Sequence, residues 1–94
     1  MIIVSGRIYT KPGKRDAFLE GSHDAIVAAR RAEGCRDFAV SPDRIEPDRV
    51  NIYEEWQSEK AMLAFRGDGP SDDLSALIAR AEVRRHSIRK SGPA

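Results

Sequence analysis

The stretch Arg49–Trp56, RVNIYEEW, constrains the fold of this chain more than any other. Its β-branched and aromatic residues predict a β-strand, along which side chains alternate between two faces. One face is apolar apart from a single carboxylate and carries Val50, Ile52, Glu54 and Trp56. A carboxylate on a buried face must be paired, hydrogen-bonded or protonated. Glu54 and Trp56, the only tryptophan, are therefore the first candidates for a functional site.

Length and charge limit the class of protein. The chain of 94 residues has room for one domain, residues 1–94, with one hydrophobic core. Its net charge of +1 favours neither nucleic acid nor an anionic membrane as a partner. No apolar run approaches the roughly 18 residues of a membrane span, and the N-terminus lacks a signal-peptide pattern. The sequence therefore predicts a cytoplasmic protein.

Cysteine and histidine content argues against a metal site. Cys35 is the only cysteine, which excludes an internal disulfide, and we interpret it as a packing residue rather than a reactive thiol. Histidines and carboxylates do not stand at metal-ligand spacing, and no glycine loop resembles a phosphate-binding motif. We therefore expect no metal and no other cofactor.

The rest of the pattern predicts the order strand, helix, strand, strand, helix, strand. The first four elements are predicted over residues 1–10, 14–32, 35–41 and 49–56. This order is typical of the α+β, ferredoxin-like split βαβ fold, in which helices cover one face of a four-stranded antiparallel sheet.

Two helices are predicted between the central strand and the last one. Ser58 is an N-cap for a short helix that ends near residue 65, and the sequence GDGP at 67–70 breaks it. Ser71 and two aspartates open a further helix. Its apolar stripe consists of Leu74, Leu77, Ile78 and Ala81. The last strand is predicted over residues 82–89.

The sheet face away from the helices is predicted to be partly apolar. It carries Ile3, Tyr9, Ala39 and Tyr53 among polar residues. Such a face is seldom left to water, so we expect a second copy of the chain to cover it and form a homodimer.

Several segments resemble a known family when they are taken in order. They are KPGKRDAF after the first strand, EGC at the end of the first helix, and IYEEW running into SEKAMLAF. Together they are similar to the antibiotic biosynthesis monooxygenase domain family of dimeric α+β barrel proteins, over residues 1–88. The resemblance implies a class that includes cofactor-independent oxygenases of aromatic polyketides and quinols, haem-degrading enzymes and proteins of unknown role.

The resemblance also implies roles for single residues. Trp56 lines a pocket between sheet and helices, and Glu54 matches the acidic position of the family's E-x-W pattern. Asn51 is similar to an asparagine that holds a substrate oxygen in some oxygenases. Its odd spacing from Trp56 turns it to the opposite face unless a bulge intervenes.

Two departures from the family pattern argue against haem. Arg66 stands about where many members have a histidine, which ligates iron in the haem-degrading branch, and arginine cannot replace it as a ligand. That branch also uses an asparagine in the first strand, where this chain has Gly6.

Each candidate also has a structural interpretation. Trp56 can be a core residue, Glu54 the partner of a nearby cation, and Arg66 a solvated charge at a helix end. His86 is expected to point toward the dimer face, where a structural role competes with proton transfer. His23 borders the apolar stripe of the long helix, between the pocket and solvent.

The first functional hypothesis is a cofactor-independent monooxygenase that oxidises a small phenol, quinol or polyketide-like substrate with O2. Glu54 or a histidine would accept a proton, and Arg66 would stabilise negative charge. The apolar wall would consist of Phe38, Ile52, Trp56, Phe65 and Leu77. The alternative is a dimeric module that binds a small apolar ligand without catalysis.

Overall fold

The computed structural model describes residues 1–67 and 71–94. Its elements are β1 (Ile2–Thr10), α1 (Arg15–Arg31), β2 (Cys35–Pro42), β3 (Arg49–Trp56), α2 (Glu59–Arg66), α3 (Asp72–Ser75) and β4 (Ile78–Ser87). The predicted break at GDGP begins with Gly67, and its remaining residues lie outside the described ranges.

The four strands form one antiparallel sheet in the order β2-β3-β1-β4. The helices cover one face, which confirms the predicted α+β, ferredoxin-like fold. Between the two layers lie the buried apolar residues Ile2, Val4, Phe18, Ala29, Phe38, Val50, Trp56 and Met62. Within the described residues, no helix is long and apolar enough to cross a membrane.

The two longer helices form where local signals predict them. The buried residues of α1 include Phe18, Ser22 and Ala29, which follow the helical period. The Ser22 hydroxyl donates to the carbonyl of Phe18 at 2.8 Å, so its burial leaves no hydroxyl unpaired. At the start of α2, the Ser58 hydroxyl accepts a hydrogen bond from the backbone N–H of Ala61 at 3.1 Å, as expected of an N-cap.

The predicted helix from Ser71 through Ala81 is wrong beyond its first turn. Helix α3 ends at Ser75, and β4 begins at Ile78 rather than at residue 82. Thr10 pairs with Ile78 and Tyr9 with Arg80, which leaves Ala79 as a bulge. The bulge places Ile78 and Ala81 on the same face of the sheet. Since residues three apart also share a face of a helix, the bulged strand has an apolar spacing that resembles a helical one.

Asp43 organises the connection between β2 and β3. One carboxylate oxygen accepts hydrogen bonds from the backbone N–H groups of Ile45 at 3.1 Å and Glu46 at 2.9 Å. The other accepts from the side-chain amide of Asn51 at 3.0 Å. These bonds, with the nearby Arg49 guanidinium, lower the pKa of Asp43 from 3.8 to about 2.

We predict that Asp43 makes folding stability depend on pH between about 4 and about 2. Because the folded pKa is the lower one, the ionised carboxylate stabilises the fold above its unfolded pKa. This contribution is lost as the pH falls through the folded value. Urea unfolding across this window should show a steeper loss for the wild type than for Asp43→Asn, which cannot titrate. Parallel curves for the two proteins would contradict the prediction.

Gly6 permits β1 and β4 to pair closely. Its φ angle is +149°, and a Cβ built on it would collide with the backbone carbonyl of Glu82 on β4. Both the backbone conformation and the contact therefore require glycine.

Replacing Gly6 by alanine should lower the free energy of unfolding by about 2 kcal/mol or more, because backbone strain and the collision act together. Chemical denaturation of the purified variant measures this loss. Gly92→Ala is the matched control, since a Cβ at Gly92 meets nothing within 4 Å. Equal stability of the two variants would show that β4 shifts to accept the methyl group.

Candidate functional site

A cavity of about 550 Å³ lies between the sheet and the helices. This volume falls within the range of small-molecule sites, about 300–1,000 Å³. Its apolar walls come from all four strands and three helices and consist of Ile8, Ala25, Ile26, Phe38, Val40, Ile52, Phe65, Leu74, Ile78, Ala81 and Val83. Its polar lining within the described residues is Ser22, Glu54 and Arg66. The site is thus apolar with few polar groups.

Glu54 places a carboxylate on the sheet side of this cavity. It is 7% exposed and pairs with Val4 of β1 and Phe38 of β2 across the sheet. The indole N–H of Trp56 donates to its Oε1 at 2.9 Å. Nη2 of Arg66 lies 3.3 Å from Oε1 and 3.4 Å from Oε2. The buried carboxylate therefore has a neutral donor and a cation as partners.

The indole of Trp56 is held by aromatic packing. Trp56 is fully buried, and its ring centroid lies 5.4 Å from that of Phe65 and 6.4 Å from that of Phe38. Such contacts restrict the ring, and the two-residue period of β3 puts it on the same face as Glu54. The N–H is therefore directed at the carboxylate by both the strand and the packing.

Arg66 reaches the carboxylate from the opposite layer. It occupies the last turn of α2, where a cation also interacts favourably with the helix dipole. Its side chain is 42% exposed, against 9% for that of Glu54. The ion pair thus joins a solvent-facing guanidinium to a buried acid, and solvent screens it more than the indole bond.

The hydrogen-bonding capacity of the site is unevenly used. Oε1 of Glu54 accepts from both Trp56 and Arg66, whereas Oε2 accepts only the longer Arg66 contact within residues 1–67 and 71–94. Arg66 uses one of its two terminal nitrogens for these bonds. A ligand hydroxyl in the cavity therefore has an acceptor in Oε2 and a cation beside it.

The structure brings six of the ten predicted site residues together. They are Phe38, Ile52, Glu54, Trp56, Phe65 and Arg66. Trp56 lies behind Glu54 and contacts Phe65 rather than lining the cavity. His23 is exposed on α1, and Leu77 lies half-buried in the turn before β4. Neither of these two lines the cavity.

The remaining two predicted residues lie on the other face of the sheet. Asn51 pairs with Arg7 in unbroken register from Trp56, so no bulge turns its side chain inward. The amide nitrogen of Asn51 instead donates to the Asp43 carboxylate, and its amide oxygen accepts from Nε of Arg49 at 2.7 Å. His86 pairs with Ile3, whose side chain also points away from the helices. Neither side chain reaches the cavity.

Sequence reasoning did not assign several wall residues to the site. Ser22, Ala25 and Ile26 follow the apolar stripe of α1, which indicates a helix face toward the sheet but not a cavity beneath it. The available signal was the small size of Ser22 and Ala25, since small side chains leave volume open between packed layers.

Cys35 has the surroundings of a packing residue. It is half-buried against the hydrophobic core, and burial, together with the nearby Asp37 carboxylate, raises the pKa of its thiol. A raised pKa leaves little reactive thiolate. In the described part of the chain, no group of three or more histidine, cysteine, aspartate or glutamate residues is arranged to hold a metal ion.

Solved structures share this fold. A proposed antibiotic biosynthesis monooxygenase from Deinococcus radiodurans superposes with a TM-score of 0.86 at 20% identity, covering 100% of this chain and 98% of that one. Another, from Chloroflexus aurantiacus, has a TM-score of 0.76 and 26% identity, with 99% and 96% covered. The likeness extends over the whole sheet and its helices.

Sequence comparison gives the family. An uncharacterized protein of Synechocystis sp., sll1783, is 28% identical over 98 residues, which cover 96% of this chain and 65% of that protein. This chain therefore spans less than two thirds of that relative. The sequence model of the family described as "Antibiotic biosynthesis monooxygenase" matches residues 1–85. With the cavity and fold described above, this match shows that the chain belongs to the antibiotic biosynthesis monooxygenase family.

Proposed function

We propose that this protein is a cofactor-independent monooxygenase that oxidises a small phenol, quinol or polyketide-like aromatic substrate with O2. The observation that carries the proposal is the buried carboxylate of Glu54 on the wall of an apolar cavity, bonded to an indole N–H. The family match over residues 1–85 supports the reaction class.

In this proposal, the substrate ring packs between the apolar walls while its hydroxyl donates to Oε2 of Glu54. Loss of the hydroxyl proton makes the ring a better electron donor to O2, and Glu54 accepts that proton. The guanidinium of Arg66 stabilises the resulting anion, since it stays charged and offers several donors. The apolar walls keep water away from the reacting carbon.

The reaction balances without a separate reductant. In an anthrone-like substrate, a ring CH2 becomes a C=O group. One oxygen atom of O2 enters the product, and the other leaves as water with the two hydrogens. The substrate supplies all the electrons that O2 accepts, so the protein's role is to bind, deprotonate and exclude solvent.

Oxygen uptake with a panel of hydroquinones and anthrones tests the proposal. We expect Glu54→Gln, which keeps the shape of the side chain but cannot accept the proton, to lower kcat/KM by about 10²-fold. Arg66→Gln should lower it by about tenfold or more, because the anion loses its counter-charge. Lys60→Gln, an exposed change elsewhere on α2, is the control and should leave the rate unchanged.

The outcome that would reject the monooxygenase is equal turnover by the wild type and by a folded Glu54→Gln/Arg66→Gln double variant. Circular dichroism establishes that the variants are folded. Anaerobic incubation serves as a second control, because the proposed product requires O2.

A second candidate function is a module that binds a small apolar ligand without turnover. One observation favours it: Oε1 of Glu54 already accepts hydrogen bonds from Trp56 and Arg66, so the buried carboxylate has stabilising partners without a substrate and has a structural role even if no reaction follows. This function would be supported if compounds of the panel bind saturably and are recovered unchanged after incubation with the protein in air.

We also propose that the protein acts in the cytoplasm as a homodimer. The outward face, meaning the side of the sheet away from the helices, carries the half-buried Ile3 and Tyr9 and a Tyr53 that is 36% exposed. Arg80 stacks over the Tyr9 ring at 4.1 Å. This face is thus less apolar than the sequence pattern indicates, but it still offers aromatic surface to a partner.

Light scattering at low micromolar concentration should give about twice the 10.5 kDa chain mass. Tyr53→Asp should shift the protein toward the monomer, because it places a negative charge in the interface beside the Glu55 carboxylate. The surroundings of Tyr53 already disfavour negative charge, since burial and, to a smaller extent, Glu55 raise the pKa of its hydroxyl. Tyr53→Phe is the matched control and should remain dimeric. A folded wild-type monomer at this concentration would contradict the homodimer.

A further inference from the structure

A buried hydroxyl lies on the helix side of the cavity. Ser22 of α1 is 5% exposed and lines the cavity. Among the described residues, the other polar side chains of the lining are Glu54 and Arg66, which are bonded to each other. The proton transfer proposed above uses these two and gives Ser22 no role. A polar group on an apolar wall is therefore a further candidate for contact with a ligand.

The hydroxyl of Ser22 has only acceptor capacity left. Its proton is used in the bond to the carbonyl of Phe18, one turn earlier in α1, at 2.8 Å. A hydroxyl oxygen can also accept two hydrogen bonds, and within residues 1–67 and 71–94 this oxygen accepts from no protein donor. It therefore matches a ligand group that donates a proton, such as a hydroxyl, and not a ligand carbonyl.

Ser22 and Glu54 lie in opposite layers and at different ends of the cavity. Glu54 is bonded to Trp56, which packs in the same core cluster as Ala29 of α1. Ser22 precedes Ala29 by about two helical turns, or about 10 Å along the helix axis. The hydroxyl therefore lies on the helix layer, away from the core beside the acid.

Helix α3 closes the cavity near Ser22. A Cβ added at the neighbouring Gly21 would lie 3.1 Å from Cδ1 of Leu74, so α3 packs closely on this part of α1. Leu74 also lines the cavity. An aromatic ring that donates to Glu54 at one end therefore meets Ser22 at the end beneath α3.

A purely structural role accounts less well for a serine at this position. A serine within a helix can satisfy its own hydroxyl by bonding to the carbonyl one turn earlier, as Ser22 does. Alanine is the better helix former and would leave no polar atom in the apolar wall. Ala25 and Ala29 occupy the next positions of the same stripe. The hydroxyl thus lowers the stability of the empty protein and gains its value from a ligand.

We infer that Ser22 is a specificity-determining residue that accepts a hydrogen bond from a second hydroxyl of the ligand. The ligand is then an aromatic diol whose hydroxyls lie at opposite ends of a ring, one bound to Oε2 of Glu54 and the other to Oγ of Ser22. This inference rests on the cavity as the substrate site of the proposed function and narrows its substrate class. A diol with adjacent hydroxyls reaches only one of the two groups, and a carbonyl at the Ser22 end sets two acceptors against each other.

A cycle that changes both the protein and the ligand tests this role. The probes are 1,4-dihydroxynaphthalene and 1-naphthol, which differ by one hydroxyl. Calorimetry without O2 measures their Kd values while neither compound is consumed. We expect the wild type to bind the diol about tenfold more tightly, because the second hydroxyl gains a buried partner. In Ser22→Ala this preference should fall to about twofold or less.

Two further variants and one further ligand serve as controls. Ser22→Thr keeps a hydroxyl that can make the same bond to Phe18 and should keep the preference, even where its extra methyl group weakens both ligands. Ser91→Ala makes the alanine change at an exposed serine and should behave as the wild type. The adjacent diol 1,2-dihydroxynaphthalene should bind the wild type within about twofold of 1-naphthol. Circular dichroism checks that every variant is folded.

The possible failures are distinct. If Ser22→Ala weakens both naphthalene probes equally, or weakens neither, Ser22 is a structural residue and the inference is wrong, while oxygen uptake that depends on Glu54 still supports the proposed function. If the adjacent diol binds as tightly as the 1,4-diol, the opposite-end geometry is wrong. If the probes do not bind but another compound of the panel is turned over, the ligand class is wrong. If no compound binds or reacts, the proposed function itself fails.

Discussion

The cost of keeping a carboxylate inside an apolar layer governs the arrangement of this site. Removing an ionised carboxylate from water costs several kcal/mol, which partners must offset. Glu54 receives a short bond from the Trp56 indole and longer contacts from Arg66. Because the Arg66 side chain is 42% exposed, solvent screens its attraction to the carboxylate, and the indole hydrogen bond is screened less. The aromatic packing that directs the indole is thus a requirement of the polar site.

Core and cavity are two regions of the same layer between sheet and helices. Around Trp56, Val4 and Met62, the layer is closed and these residues are almost fully buried. Farther along the sheet, the side chains that α1 presents are small, as at Ser22 and Ala25, and the layer opens into the cavity. Glu54 lies between the two regions. Its carboxylate is bonded to the tightly packed Trp56 on the core side and lines the cavity on the other side.

Features that depend on near neighbours in the chain were predictable from the sequence. The faces of β3, the length of α1 and the cap at Ser58 follow from strand alternation, helical period and side-chain chemistry. The start of β4 was not predictable, because its bulge at Ala79 exists only through pairing with β1. Glu54 and Trp56 were found from alternation and Arg66 from the family resemblance. The cavity walls depend on the spacing between layers, which no local pattern encodes.

Apart from Ser22 on α1, the polar part of the site lies within one short segment, residues 54–66. This segment runs from Glu54 through Trp56 and the capped start of α2 to Arg66. The apolar walls, in contrast, come from distant parts of the chain. Acid, indole and cation can therefore change together through a few neighbouring codons while the sheet stays intact. A fold built in this way can acquire or lose chemistry without first rebuilding the space in which a ligand sits.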